Sequence, residues 1–127
     1  MQASITRFAL FFALVVVSLV PRQAAAQAGK YSFMQMTTIE SVIAGGMGRS
    51  KVSFTPEFKG AKEGVLENLF SLTGLNLGNL RKNEESINTY MQQISDDGWE
   101  LVSTVPLTYS LPGSGLFMTR YVFRKAK

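Results

Sequence analysis

Asn83-Glu84-Glu85-Ser86-Ile87-Asn88-Thr89-Tyr90-Met91-Gln92-Gln93-Ile94-Ser95-Asp96-Asp97-Gly98-Trp99-Glu100-Leu101-Val102-Ser103 is the stretch whose reading decides the fold. Ile87, Tyr90, Met91 and Ile94 recur at i, i+3, i+4 and i+7, the spacing of one buried helix stripe. Asn83 stands where an N-cap side chain accepts from free backbone N–H groups. Glu84 and Glu85 fall in the first turn, where the positive end of the helix dipole favours acids. Gly98 suits the left-handed position after the helix, and Trp99 can then fold back on the last turn. The predicted helix therefore runs from Glu84 to Asp97, with Gly98, Trp99 and Leu101 as the structural residues of its junction with a strand. In that strand Trp99, Leu101, Ser103, Val105, Leu107 and Tyr109 take one face, by the alternation of extended chain. Glu100, Val102, Thr104, Pro106 and Thr108 take the other.

Working outward, Pro112-Gly113-Ser114-Gly115 makes a turn. A closing strand follows, with Phe117, Tyr121 and Phe123 on one face and Met118, Arg120, Val122 and Arg124 on the other. The aromatic face is expected to meet the helix stripe. Glu100 is expected to pair with Arg120 or Arg124. Upstream, Lys30 to Ile43 reads as a first strand rich in aromatic and β-branched residues, with Met34 and Met36 opposite Phe33. The methionines Met34, Met36, Met47, Met91 and Met118 are expected mainly to fill gaps in the core. Lys51 to Phe54 reads as a second strand stopped by Pro56. Ala61 to Leu72 reads as another helix, because Val65, Leu66, Leu69 and Phe70 fit a helical stripe. Gly64 weakens that helix by up to about 1 kcal/mol. Leu75, Leu77 and Leu80 are expected to lie against the core. The order β-β-α-α-β-β gives an α+β fold: an antiparallel sheet of about four strands with one or two helices on one face.

Residues 1–28 read as a leader. Arg7 precedes an apolar run from Phe8 to Val20 broken only by Ser18, and Pro21-Arg22 and Ala24-Ala25-Ala26-Gln27-Ala28 follow. A cation, a short apolar stretch and small residues before a cleavage site make a secretory signal peptide. The 13 residues of that run would reach about 20 Å as a helix, short of a hydrocarbon core about 30 Å thick. The run is thus read as cleaved, after Ala26 or after Ala28, with no stable membrane anchor left behind. Residues 29–127 form one α+β domain, exported to the periplasm or beyond the cell.

Composition narrows the chemistry. The chain has 127 residues with no His and no Cys. No imidazole base, Ser–His–Asp triad, thiolate or disulfide can be built. No cofactor fingerprint is present. Loss of the leader removes Arg7 and Arg22 and no acid, so the net charge falls from +4 to +2. That is too small to argue for nucleic acid.

The segment Ile94-Ser95-Asp96-Asp97-Gly98-Trp99-Glu100-Leu101-Val102-Ser103, with Tyr121-Val122-Phe123-Arg124-Lys125 and the opening Lys30-Tyr31-Ser32-Phe33, resembles the small bacterial family called domain of unknown function 4177. The resemblance covers about half of residues 29–127, and Ala44 to Leu80 departs from it as an insertion. It implies a fold and an uncharacterised bacterial protein, with no activity and no catalytic residue.

Three groups stand out as candidate sites. Gly45, Gly46, Gly48, Arg49 and Ser50 form a candidate anion-binding nest of backbone N–H groups, against the simpler reading of a hairpin turn. Arg120, Arg124 and Lys125 form a candidate basic binding surface, against that of a charged, solvated strand. Asp96, Asp97 and Glu100 place three carboxylates within five positions but lack a calcium-loop pattern, so no metal site is assigned. The leading functional reading is a non-catalytic binding or structural domain of the cell envelope. Its contact surface would be the open sheet face or the glycine-rich loop, and its partner another envelope protein or a second copy of the chain. The alternative is a small hydrolase or lyase acting on an envelope substrate with carboxylates such as Glu40, Asp97 or Glu100. If it used glycosidase chemistry, two of them would face one cleft about 5–9.5 Å apart.

Overall fold

The computed structural model describes residues 29–45, 49–107 and 115–127. The expected leader therefore lies outside the described residues, as do Gly46, Met47, Gly48 and the expected turn at Pro112-Gly113-Ser114. A five-stranded antiparallel sheet runs in the order β3-β2-β1-β7-β6, and one helix packs on one of its faces. The strands are β1 (Tyr31–Ser41), β2 (Lys51–Phe58), β3 (Ala61–Val65), β6 (Glu100–Pro106) and β7 (Leu116–Ala126). A small separate hairpin, β4 (Phe70–Ser71) and β5 (Gly74–Leu75), precedes helix α1 (Leu77–Asp96). The α+β class and the antiparallel sheet stand as expected. The number and order of elements differ.

The largest difference lies at Ala61 to Leu72, which is not a helix. Lys59 and Gly60 both hold positive φ, at 49° and 80°, and Phe58 pairs with Ala61 across them. Such a two-residue turn reverses β2 into β3. The stripe had a different cause: Leu66 and Leu69 are buried from an irregular loop, while Val65 is 84 % exposed. The loop backbone is tied to the strand ends, Leu66 donating to Ser50 and Leu69 to Ser41. Pro56 does not end β2. The β2–β3 register shifts between Ser53 and Phe58, and pairing with β1 extends to Thr55, so the missing N–H falls where the ladder makes no demand.

Helix α1 also begins earlier than the charge pattern suggests. Asn76, not Asn83, is the N-cap, its side chain accepting from the Asn79 N–H at 3.1 Å. Leu72, Leu75 and Leu77 stay in water at 94 %, 45 % and 69 % exposure, so the expectation that Leu75 and Leu77 lie against the core is not met. At the other end the expected geometry is present. Gly98 has φ 85°, Trp99 N–H donates to Ile94 and Gly98 N–H to Ser95, the paired bonds of a Schellman ending. Lys125 Nζ reaches the Asp97 carbonyl and adds a cation at this negative helix end.

The core lies between α1 and the sheet. Met34, Met36, Val52, Phe54, Phe58, Leu66, Ile94 and Phe123 are buried, with Ile87, Tyr90, Met91, Trp99 and Tyr121 against them. Met34 pairs with Phe123 and Met36 with Tyr121, which fixes the helix-side face of β7. Phe117 shares that parity but is 53 % exposed, so the helix stripe meets two of the three expected aromatics. Beyond Leu101 the expected faces of β6 are reversed, while those of β7 hold. A register shift between Leu101 and Ser103 puts Ser103 beside Val122 and Val105 beside Arg120, because a bulge adds one residue and flips the side-chain alternation.

Both sheet edges are blunted. On β6 the Leu107 N–H donates inward to Met118, so the intervening Pro106 turns its nitrogen outward and offers no donor. The other edge, β3, is five residues long and carries Lys62 and Glu63.

Candidate functional site

With the edges blunted, the faces are the larger surfaces available for contact. The sheet face opposite α1 has no cover among the described residues. β1 sends Phe33, Gln35, Thr37 and Ile39 to it, and β7 sends Met118, Arg120, Val122 and Arg124. The bulge adds Ser103 and Val105 from β6, and β2 adds Lys51, Ser53 and Thr55. Phe33 is 60 % exposed and Val105 is 41 % exposed. Ile39, Met118 and Val122 are half-buried between them. A sheet that buries one face and leaves apolar side chains on the other presents a surface for a partner.

Its charges are mostly balanced at the margins. Arg124 Nε meets Glu100 Oε2 at 2.8 Å and its guanidinium lies over the Tyr31 ring at 5.0 Å. The Glu100 carboxylate raises the pKa of Arg124 by a hydrogen bond and by its charge. Lys51 Nζ meets Glu63 Oε1 at 2.6 Å. Arg120 sits between Thr37 and Val105 with no acid beside it in register. Its Nε is buried with no hydrogen-bond partner among the described residues. The face thus mixes an apolar group of Phe33, Ile39, Met118, Val122 and Val105 with polar side chains, and Arg120 near its middle has no acid paired with it among the described residues.

Of the sequence candidates, Arg120 and Arg124 share this face, while Lys125 lies on the other, against Asp97 and the Trp99 ring. Of the glycine-loop group, Gly45 has φ 68° and Arg49 is exposed. The Ser50 hydroxyl is buried and spent, accepting from the Ser41 N–H at 3.0 Å. Gly46 and Gly48 lie outside the described residues. The three neighbouring carboxylates turn to different partners: Asp96 to Gln92, Asp97 to Trp99 Nε1 and Lys125, and Glu100 to Arg124. Leu101 is paired with Phe123 and is 43 % exposed.

Glu40 belongs to a different environment, which the sequence reading missed. Asn83 is 1 % exposed and its amide donates to Glu40 Oε1 at 3.0 Å and to the Glu67 carbonyl at 2.9 Å. Its carbonyl accepts from the Glu67 N–H at 2.7 Å. Tyr121 has its pKa raised, first by burial and then by the charge of Glu40. Glu40, Asp97 and Glu100 are each engaged in this way, and Glu40 sits at the end of the helix opposite the other two. Stepping the core stripe back from Ile87 by four residues lands on Asn83, and that was the available signal.

Two shallow depressions flank the helix. One of about 360 Å³ lies beside Asn83 between Leu66 and Thr89, and one of about 480 Å³ lies between Met91, Trp99 and Leu101. Among the described residues no group of three or more acids converges as metal ligands, and no helix is long and apolar enough to cross a membrane. Protein-family models, curated proteins and solved structures were all compared with this chain, and none matches.

Proposed function

We propose that this chain is an exported, non-catalytic binding domain of the bacterial cell envelope, and that it works through the open face of its sheet. One observation carries the reading. Phe33 and Val105 stand exposed on a face that also presents Ile39, Met118 and Val122, while both strand edges are blunted. Leaving such side chains in water forgoes about 25 cal/mol for every Å² a partner would cover. Kinship with the family of domain of unknown function 4177 belongs to the same reading, supported by the Gly98-Trp99-Glu100-Leu101 junction and the closing basic strand. Export rests on the leader in residues 1–28. The partner is another envelope protein or a second copy of the chain.

The test compares the protein with Phe33→Asp. Sedimentation and affinity capture from the envelope fraction should show a dimer or a specific partner that Phe33→Asp loses while keeping its unfolding midpoint. Equal behaviour of the two proteins would overturn the reading. N-terminal sequencing of the exported protein should begin at Gln27 or Gly29.

A further inference from the structure

Leu72, the most exposed large apolar side chain among the described residues, does not lie on the five-stranded sheet. Phe70, Leu72, Leu75 and Leu77 are 36 %, 94 %, 45 % and 69 % exposed. All four fall within the β4–β5 hairpin and the first residue of α1. From Asn68 to Leu80 the chain carries no charged residue. Ordinary surface leucines are scattered singly, whereas a concentrated apolar projection marks a contact with something apolar.

Much of the backbone of this projection is already paired. Phe70 pairs with Leu75 and Ser71 with Gly74 across the hairpin. Phe70 N–H donates to Asn68 Oδ1 at 2.6 Å, Thr73 N–H to Ser71 Oγ at 3.4 Å and Asn76 N–H to the Leu69 carbonyl at 2.8 Å. Asn79 closes the neck, donating to the Asn68 carbonyl at 2.7 Å. A segment whose polar groups are paired internally can enter a medium without water, and an unpaired one cannot.

Cations stand just beyond. Arg81 and Lys82 open the next turn of α1, with side chains 82 % and 65 % exposed. Their acids, Glu85 and Glu67, approach only to 3.9 Å. On a helix rising about 1.5 Å per residue they lie about 6–8 Å from Leu77, the depth that separates inserted side chains from headgroups at an interface.

The geometry points to an anionic lipid surface as the ligand of this hairpin. Leu72, Leu75 and Leu77 enter the acyl boundary, and Arg81 and Lys82 meet phosphate headgroups. The contact is peripheral and reversible, since three side chains do not make an anchor. It is independent of the sheet face, which a partner could occupy at the same time.

The test is flotation of the purified protein with vesicles of phosphatidylglycerol and with vesicles of phosphatidylcholine. Binding should be stronger on phosphatidylglycerol, with the difference reduced by salt. Leu72→Asp with Leu77→Asp should weaken binding about tenfold or more at an unchanged urea midpoint, and Phe33→Asp should leave it intact. Absence of binding to phosphatidylglycerol vesicles would overturn the proposal. So would binding that the leucine variants retain, or a dimer in solution that those variants dissolve without any vesicle binding.

Discussion

Helix α1 is held at its two ends by opposite means. At the C-terminal end, Trp99 N–H returns to Ile94 and Gly98 N–H to Ser95, so the bonds that stop the helix join residues no more than five apart. Towards the N-terminal end, about two turns beyond the local Asn76 cap, the Asn83 side chain clasps the backbone of Glu67 and the carboxylate of Glu40, 16 and 43 positions away. The first device requires a residue tolerant of positive φ at one point. The second requires that three distant segments already be assembled. A local device fails alone, whereas a shared one takes its neighbours with it.

That difference orders the expected effects. Asn83→Ala removes the part-buried partners of the Glu67 N–H and carbonyl and one partner of Glu40. Each buried polar group left unpaired costs about 1–3 kcal/mol, so a loss of about 3 kcal/mol is expected in urea unfolding. That is a large share of a total of about 5–15 kcal/mol. The Leu66 to Leu69 loop should lose hydrogen-exchange protection before the rest. A loss below about 1 kcal/mol would show the clasp to be ornamental.

Gly64 comes next. A Cβ there would overlap Tyr90 Oη and stand 3.0 Å from Val52 Cγ1, so glycine is what lets the helix approach β3 this closely. Gly64→Ala is expected to cost about 1–3 kcal/mol as overpacking, and Tyr90→Phe in the same chain should recover part of it. Failure of that recovery would assign the cost to Val52 instead. Gly98→Ala should cost about 1 kcal/mol, the penalty for forcing a side chain into the left-handed region at φ 85°. It should leave the exchange rates around Glu67 unchanged, which distinguishes the local end from the shared one.

Legibility in the sequence divides along the same line. The C-terminal junction could be read from Gly98 and Trp99 because its geometry is local. Tyr121 and Phe123 could be placed inward, because strand alternation needs only parity. The true start of α1 was obscured by Asn83, which sits in the core stripe but is polar. Val105 was assigned beside Leu101 because a bulge has no local signature here. The spurious helix at Ala61 to Leu72 comes from Leu66 and Leu69, which are buried from an irregular loop whose backbone is tied to Ser50 and Ser41 rather than by any helical period. The open face could be anticipated as a surface, but Val105 reached it only through the bulge. The apolar hairpin was misjudged for a related reason: composition says that leucines prefer burial, and only the fold says whether there is anything for them to reach.

The smallest effect probes whether Glu40, the carboxylate that Asn83 holds, is charged at the shared end. Tyr121 has its pKa raised by burial and then by Glu40. A group whose folded pKa exceeds its unfolded value adds stability that is fully present below the unfolded pKa, about 10 for tyrosine. That contribution is lost as pH rises through the folded value. The stability difference between the protein and Tyr121→Phe should therefore be constant from pH 7 to about 9 and shift against the protein at higher pH. Glu40→Gln removes the second cause and keeps the first, so it should narrow that alkaline shift without abolishing it. A shift unchanged by Glu40→Gln would mean that burial alone perturbs Tyr121. The clasp would then be a device of hydrogen bonds, with no electrostatic reach across the core.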